Sequence, residues 1–288
     1  MKVLSYGDKV AIVACSNGLD ESMRITLCKL VQELESLGLV VETSKKIFKE
    51  NSIFNGSNAE KAEILMDYYK DSSIKAIFDI SGGDLANTVL DYIDFDIIEK
   101  NPKFFFGYSD LTVLINAIYK KTKVKSYLYQ VRNLVGEYKE AQIRHFKDSI
   151  LEDGNRLADF DYEWIQGEER GMEGIVVGGN IRCLLKLAGT EYMIDFEDKI
   201  LFLEAYSGDI GKMSTYLYQL RQLKAFHKIK GIILGTFTEM EMKDMKPSIV
   251  QLTKMIVDDE NIPIVKTGDI GHGHDSKAIL IGGQIKLN

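Results

Sequence analysis

The sequence predicts an α/β protein: an N-terminal domain built on a parallel sheet, followed by a smaller β-rich domain. Three observations carry this prediction. Apolar runs alternate with segments of helical period through the first half, as parallel strands covered by helices require. A charged, less regular stretch around "EYKEAQIRHFKDSILEDGNR" follows. Beyond Gly171 short apolar strands dominate, with one amphipathic helix among them. The expected division is therefore 1–150 for the first domain, 151–170 for a connector and 171–288 for the second.

Taken in order, "DKVAIVAC" reads as a buried strand that turns at Ser16-Asn17-Gly18. A helix over residues 20–37 follows, with Ile25, Cys28, Val31 and Leu34 as its apolar stripe and Gly38 as its stop. "LVVETS" is a second strand and residues 58–70 a second helix. Strand "IKAIFDI" leads through "SGGD" to a helix from about Leu85. Strand "KFFFGY" leads to a helix over residues 109–120. In the second half, "GIVVGG", "KILFLEAY", "IKGIILGTF" and "IPIVKTGDIG" read as strands and "MSTYLYQLRQLKAF" as the helix.

Composition narrows the function. A formal charge of -7 and the lack of a basic stripe argue against nucleic acid or an anionic membrane as partner. Cys15, Cys28 and Cys183 are odd in number and scattered, so neither a disulfide framework nor a CxxC metal motif is expected. The start has no signal-peptide pattern and no apolar run reaches membrane-span length, which fits a reducing, cytoplasmic setting.

Several turns offer chemistry. In "NPKFFFGYSDLT" an apolar strand delivers Ser109 to the start of a helix. Serine there can simply cap the helix. It also stands where ligands bind in parallel sheets, beside backbone N–H groups suited to a developing oxyanion. "ACSNG" nearly matches the G-x-S-x-G elbow, so Ser16 is a rival nucleophile, although a turn serine is its simpler role. In "DISGGDLANTV", Gly82 and Gly83 permit a tight turn or a close approach of backbone to ligand. "GDIGHGHDSK" holds His272 and His274 beside Asp275; without further clustered ligands a metal site is not expected, and no cofactor is implied. Glu204 closes the apolar "KILFLEAY" and needs a partner if buried: a cation, or a histidine held in one tautomer.

Taken together, these motifs resemble the LD-carboxypeptidase family, the cytoplasmic muramoyltetrapeptide carboxypeptidases, whose relatives include microcin C self-immunity proteins. The resemblance runs from "GDKVAIVACS" through "NPKFFFGYSDLT", "GIVVGGNI" and "KILFLEAY" to "GHGHDSKAILIGGQIKLN". It implies a Rossmann-like nucleophile domain joined to a domain supplying the rest of a triad. By the family's motifs Ser109 is the nucleophile, Glu204 the acid and His272 the base, His272 being chosen over His274 by its spacing to "ILIGG". Backbone N–H groups of Gly83 and Asp110 would form the oxyanion hole. Asp84, Asn180 and His274 are candidates for substrate binding. A homodimer is implied as well.

The implied reaction is removal of the terminal D-alanine from a murein tetrapeptide by a serine carboxypeptidase. The alternative within the class is hydrolysis of a microcin-like peptidyl nucleotide. "SGGDLAN" leans toward that branch, whereas Gly208 occupies the place of its substrate-binding lysine. "ACSNG" for the usual A-P-S, and the absence of G-P in "YLYQVRN", alter loops around the cleft. Trp164 is expected to pack, with base stacking as the alternative. A non-catalytic peptide or nucleotide binder is the rival from another class, separable by fluorophosphonate labelling of Ser109.

Overall fold

The computed structural model describes residues 3–288. The first half builds β1 (Lys9–Val13), α1 (Arg24–Ser36), β2 (Val40–Thr43), α2 (Asn58–Lys70), β3 (Ile74–Asp79), α3 (Phe95–Lys100), β4 (Phe104–Gly107), α4 (Thr112–Thr122), β5 (Ser126–Leu128) and α5 (Lys139–Phe146). Next come β6 (Glu163–Gln166), β7 (Met172–Asn180), α6 (Ile181–Leu184), β8 (Lys199–Ala205) and α7 (Ile210–Gln222). The chain continues through β9 (Gly231–Phe237), α8 (Thr238–Met242), α9 (Ile249–Val257), β10 (Ile264–Lys266), β11 (Ile279–Ile281) and β12 (Gln284–Leu287).

Two six-stranded sheets result, ordered β11-β5-β4-β3-β1-β2 and β12-β7-β8-β9-β10-β6. In the first, β5, β4, β3, β1 and β2 are parallel and β11 lies antiparallel at the edge. In the second, β7 to β10 are parallel, with β12 and β6 antiparallel at the two edges. The near-continuous burial of β1, β3, β8 and β9 explains their unbroken apolar runs, since parallel strands are covered on both faces. Two strands cross the divisions drawn from sequence. Glu163–Gln166, inside the expected connector, pairs with β10, and Ile279–Ile281, inside the expected second domain, pairs with β5.

Local signals explain most element boundaries. Ser57 and Glu60 form a reciprocal capping box at the start of α2. The helix expected from Leu85 is instead a 3-10 stretch, Ala86–Tyr92, after which Asp94 caps α3 by accepting from the N–H groups of Asp96 and Ile97. Helix α4 is buried on nearly every side because it lies between the sheets. Its Ile115 belongs to one apolar cluster with Val13 and Phe105 of the first sheet and Val176 and Phe202 of the second.

The contact of α4 with β7 depends on Gly178 and Gly179. Both have positive φ, and a Cβ on Gly179 would come within 2.6 Å of Thr112 Oγ1. The close approach lets Asn116 act as a surrogate strand partner: its Nδ2 donates to Gly178 O at 2.8 Å and its Oδ1 accepts from Gly178 N at 2.9 Å. Thr112 Oγ1 accepts from Asn180 N at 3.0 Å. Polar groups buried between the sheets are thereby satisfied. Among the described residues no helix is long and apolar enough to cross a membrane.

Candidate active site

Strand β4 ends at Gly107, and Ser109 follows at the head of a 3-10 turn, Ser109–Leu111, that runs into α4. Its φ of 54° is uncommon for a residue with a side chain and marks a sharp turn that holds the hydroxyl out of the helix. Strand β8 carries Glu204 near its carboxyl end, almost fully buried. His272 lies on the loop after β10. These three side chains, from both sheets, form one chain of hydrogen bonds. His272 Nε2 lies 3.1 Å from Ser109 Oγ, and His272 Nδ1 lies 2.5 Å from Glu204 Oε2. The other Glu204 oxygen has no partner among the described residues.

The imidazole is held on every side. Tyr108 and Tyr206 flank its ring at centroid distances of 4.4 and 5.1 Å. Its backbone N–H donates to Thr236 Oγ1, and Tyr108 Oη donates to Gly271 O at 3.2 Å. Burial, reinforced by the Glu204 charge, pushes the Tyr108 phenol well above its ordinary pKa, so it stays a donor at neutral pH.

A cavity of about 330 Å³ opens beside this chain, lined by Gly82, Gly83, Asp84, Tyr108, Ser109, Arg132, Asn180, Arg182, Tyr206 and His272. A larger hollow of about 660 Å³ lies at the opposite end of the first sheet, among Lys75, Lys103, Phe104 and Val124. It collects strand starts, whereas ligands in such sheets bind beyond the carboxyl ends of strands. The smaller one lies at those carboxyl ends, beside Ser109 and His272.

Gly83 reaches the cavity through a backbone that only glycine accepts readily. Its φ is 119°, and a Cβ would sit 2.3 Å from Asn17 Cγ. Asn17 fixes this loop, its N–H donating to Gly82 O and its Oδ1 accepting from Asp84 N. The Gly83 N–H makes no hydrogen bond among the described residues. It is thus available to an oxyanion.

Sequence reasoning assigned Asp110 a role for its N–H alone. Its carboxylate is a fully buried hub: it accepts from Ser16 Oγ at 2.7 Å, from Ala86 N at 2.8 Å and from Lys186 Nζ at 2.5 Å. Ser16 is therefore engaged with Asp110 rather than with His272. Behind it Asp79 accepts from Cys15 N and Ser81 N, and burial raises its carboxyl above the ordinary range. Arg182 pairs with Asp84 and donates to Gly83 O at 3.0 Å. Lys186 and Arg182 come from α6 and the turn after it, so the second sheet grips the loops of the first.

Of the expected binding residues, Asp84 and Asn180 line the cavity beside Ser109, although Asn180 also caps α6 through Cys183 N. His274 is exposed and lines a neighbouring cavity of about 370 Å³ with Gln130, Arg132 and Asn133. Trp164 lies on β6, edge-on to Tyr162 and packed against the core. Among the described residues no group of three or more His, Cys, Asp or Glu is placed to hold a metal ion. Arg132, Arg182, Lys186 and the flanking tyrosines had escaped sequence reasoning. Of these, Tyr108 carries a local sequence signal through its place in G-Y-S-D.

The chain matches two family profiles, the LD-carboxypeptidase N-terminal domain over residues 10–129 and the LD-carboxypeptidase C-terminal domain over residues 173–287. It is 27% identical to a probable murein peptide carboxypeptidase of Bacillus subtilis, covering 100% of this chain and 91% of the relative. It is 23% identical to the microcin C7 self-immunity protein MccF of Escherichia coli, covering 99% and 92%. The crystal structure of an MccF-like protein from Bacillus anthracis superposes with a TM-score of 0.83 at 27% identity, covering 98% of this chain and 94% of that one.

Proposed function

The chain belongs to the LD-carboxypeptidase family of hydrolases, and from that membership we propose that it removes the terminal D-alanine of murein tetrapeptides by serine catalysis. The observation that carries the mechanism is the hydrogen-bond chain from Ser109 through His272 to Glu204. His272 Nε2 takes the Ser109 proton as the oxygen attacks the scissile carbonyl. Glu204 holds the other ring nitrogen protonated and stabilises the imidazolium. The N–H groups of Gly83 and Asp110 receive the oxyanion. His272 then returns the proton to the departing D-alanine amine, and water repeats the sequence on the acyl-enzyme.

The test is release of D-alanine from the tetrapeptide by purified protein, with labelling by a fluorophosphonate. Release together with label on Ser109 supports the proposal. Neither release nor label would leave a binding protein. The likeness to an MccF-like structure favours a second reading, hydrolysis of a peptidyl adenylate. The same preparation, assayed against that substrate, compares the two by kcat/KM.

A further inference from the structure

Two arginines line the nucleophile's cavity, and they differ in one respect. Arg182 is neutralised by Asp84. Arg132 has no carboxylate partner: its Nε donates to Gln130 Oε1 at 3.1 Å, and neither terminal nitrogen makes a hydrogen bond among the described residues. The side chain is half-buried, and loss of water around it pulls its pKa below the ordinary arginine value. Asp79 lies near enough to favour the charge but makes no ion pair with it. A guanidinium withdrawn from water without a contacting anion is unfavourable, and a bidentate oxyanion is the partner its planar fork fits.

Topology explains why it stands there. Strands β4 and β5 are parallel neighbours with Gly107 opposite Leu128. Ser109 leaves the end of one and Arg132 leaves the end of the other, within the 3-10 turn Val131–Val135. Arg132 also lines the neighbouring cavity that holds His274, so it stands where the two cavities meet, beside His272 and Tyr108.

We propose that Arg132 is the anchor for the free carboxylate of the substrate's terminal residue. This rests on the carboxypeptidase reading. The chemistry fits the distance: in a peptide ending in a free acid, the carboxylate carbon is three bonds from the scissile carbonyl carbon, about one residue step of ~3.8 Å. The group that recognises it must therefore share the nucleophile's cavity. Arg132 does, and its two terminal nitrogens make no hydrogen bond among the described residues.

The test compares the tetrapeptide L-Ala-γ-D-Glu-diaminopimelyl-D-Ala with its C-terminal carboxamide, binding measured calorimetrically in a Ser109→Ala background. The acid should bind at least about tenfold more tightly than the amide. Adding Arg132→Gln should weaken the acid by roughly 10- to 100-fold and leave the amide within about threefold. Arg132→Lys should keep part of the preference, and the amide's retained binding reports an intact cavity. An acid preference that survives Arg132→Gln, or was never present, overturns the anchor. Turnover by the unmutated protein is read separately. D-Alanine release with a preference indifferent to Arg132 sinks the anchor alone. An Arg132-dependent preference without release sinks the hydrolytic reading alone, and binding of neither peptide sinks both.

Discussion

At the residue scale, the hydroxyl of Ser109 and the ring of His272 carry the sharpest expectations. Ser109→Ala should lower kcat by about four or more orders of magnitude with an unchanged melting temperature. Ser16→Ala, which removes one hydrogen bond to Asp110, should cost far less. Steady-state D-alanine release checks both, and an inactive Ser16→Ala beside an active Ser109→Ala would reverse the assignment. The two neighbouring histidines separate by substitution. In the proposed mechanism His272 Nε2 accepts the serine proton, so turnover should depend on that ring alone. His272→Ala should abolish nearly all D-alanine release, whereas His274→Ala, exposed and outside the hydrogen-bond chain, should keep it. Ser109, Glu204 and His272 were legible because each ends an apolar strand or sits in a glycine-rich loop. Arg132 and Lys186 were not, because a charged residue on a turn looks the same whether or not its partner lies across the cleft. The Lys186 contact with Asp110 spans 76 positions, beyond any local pattern.

At the scale of elements, the junction of β4, the Ser109 turn and α4 hangs on Asp110. Asp110→Ala removes the acceptor of Ser16, Ala86 N and Lys186 together and leaves a largely buried ammonium unpaired. Such losses cost about 3–5 kcal/mol, which for a chain of this length is a fall of roughly 5–8 °C in melting temperature. Thermal unfolding followed by circular dichroism measures it; a shift under about 2 °C would mean that the hub does not support the junction. Element boundaries were legible where a side chain signals them, as with Asn58–Lys70, whose extent matched the expectation. They were less so after Leu85, where Thr88 bonds back to Leu85 O and the chain winds as a 3-10 helix until Asp94 restarts it. Helical period alone does not distinguish the two windings.

At the scale of the whole molecule, the two sheets are joined by ion pairs as well as by α4. Asp84 accepts from Arg182 across the cleft, and that hydrogen bond holds its carboxyl below the ordinary range. A carboxyl depressed on folding contributes stability above its unfolded pKa of about 3.9 and loses it as pH falls through the folded value. The pair is half exposed, so Arg182→Gln should lower the melting temperature by at most about 3 °C. That gap should persist above the unfolded pKa and close as pH falls through the lowered folded value. A gap that widens in acid would remove the pair as its cause. Alternation of strand and helix made both layers legible, but not which sheet each strand joins. Trp164 and its neighbours on β6 looked like a connector, and Ile279–Ile281 looked like part of the second layer. Edge pairing is decided by the geometry of the assembled sheets.

The hydrogen bond between Ser109 and His272 joins positions 163 residues apart. At about 5–20 residues per second of synthesis, the histidine is made roughly 8–30 s after the serine. Throughout that interval the growing chain carries a hydroxyl with no base beside it. On the proposed mechanism translation therefore acts as a safety catch: a growing chain cannot attack peptides before residue 272 has been made, however early its first sheet has folded.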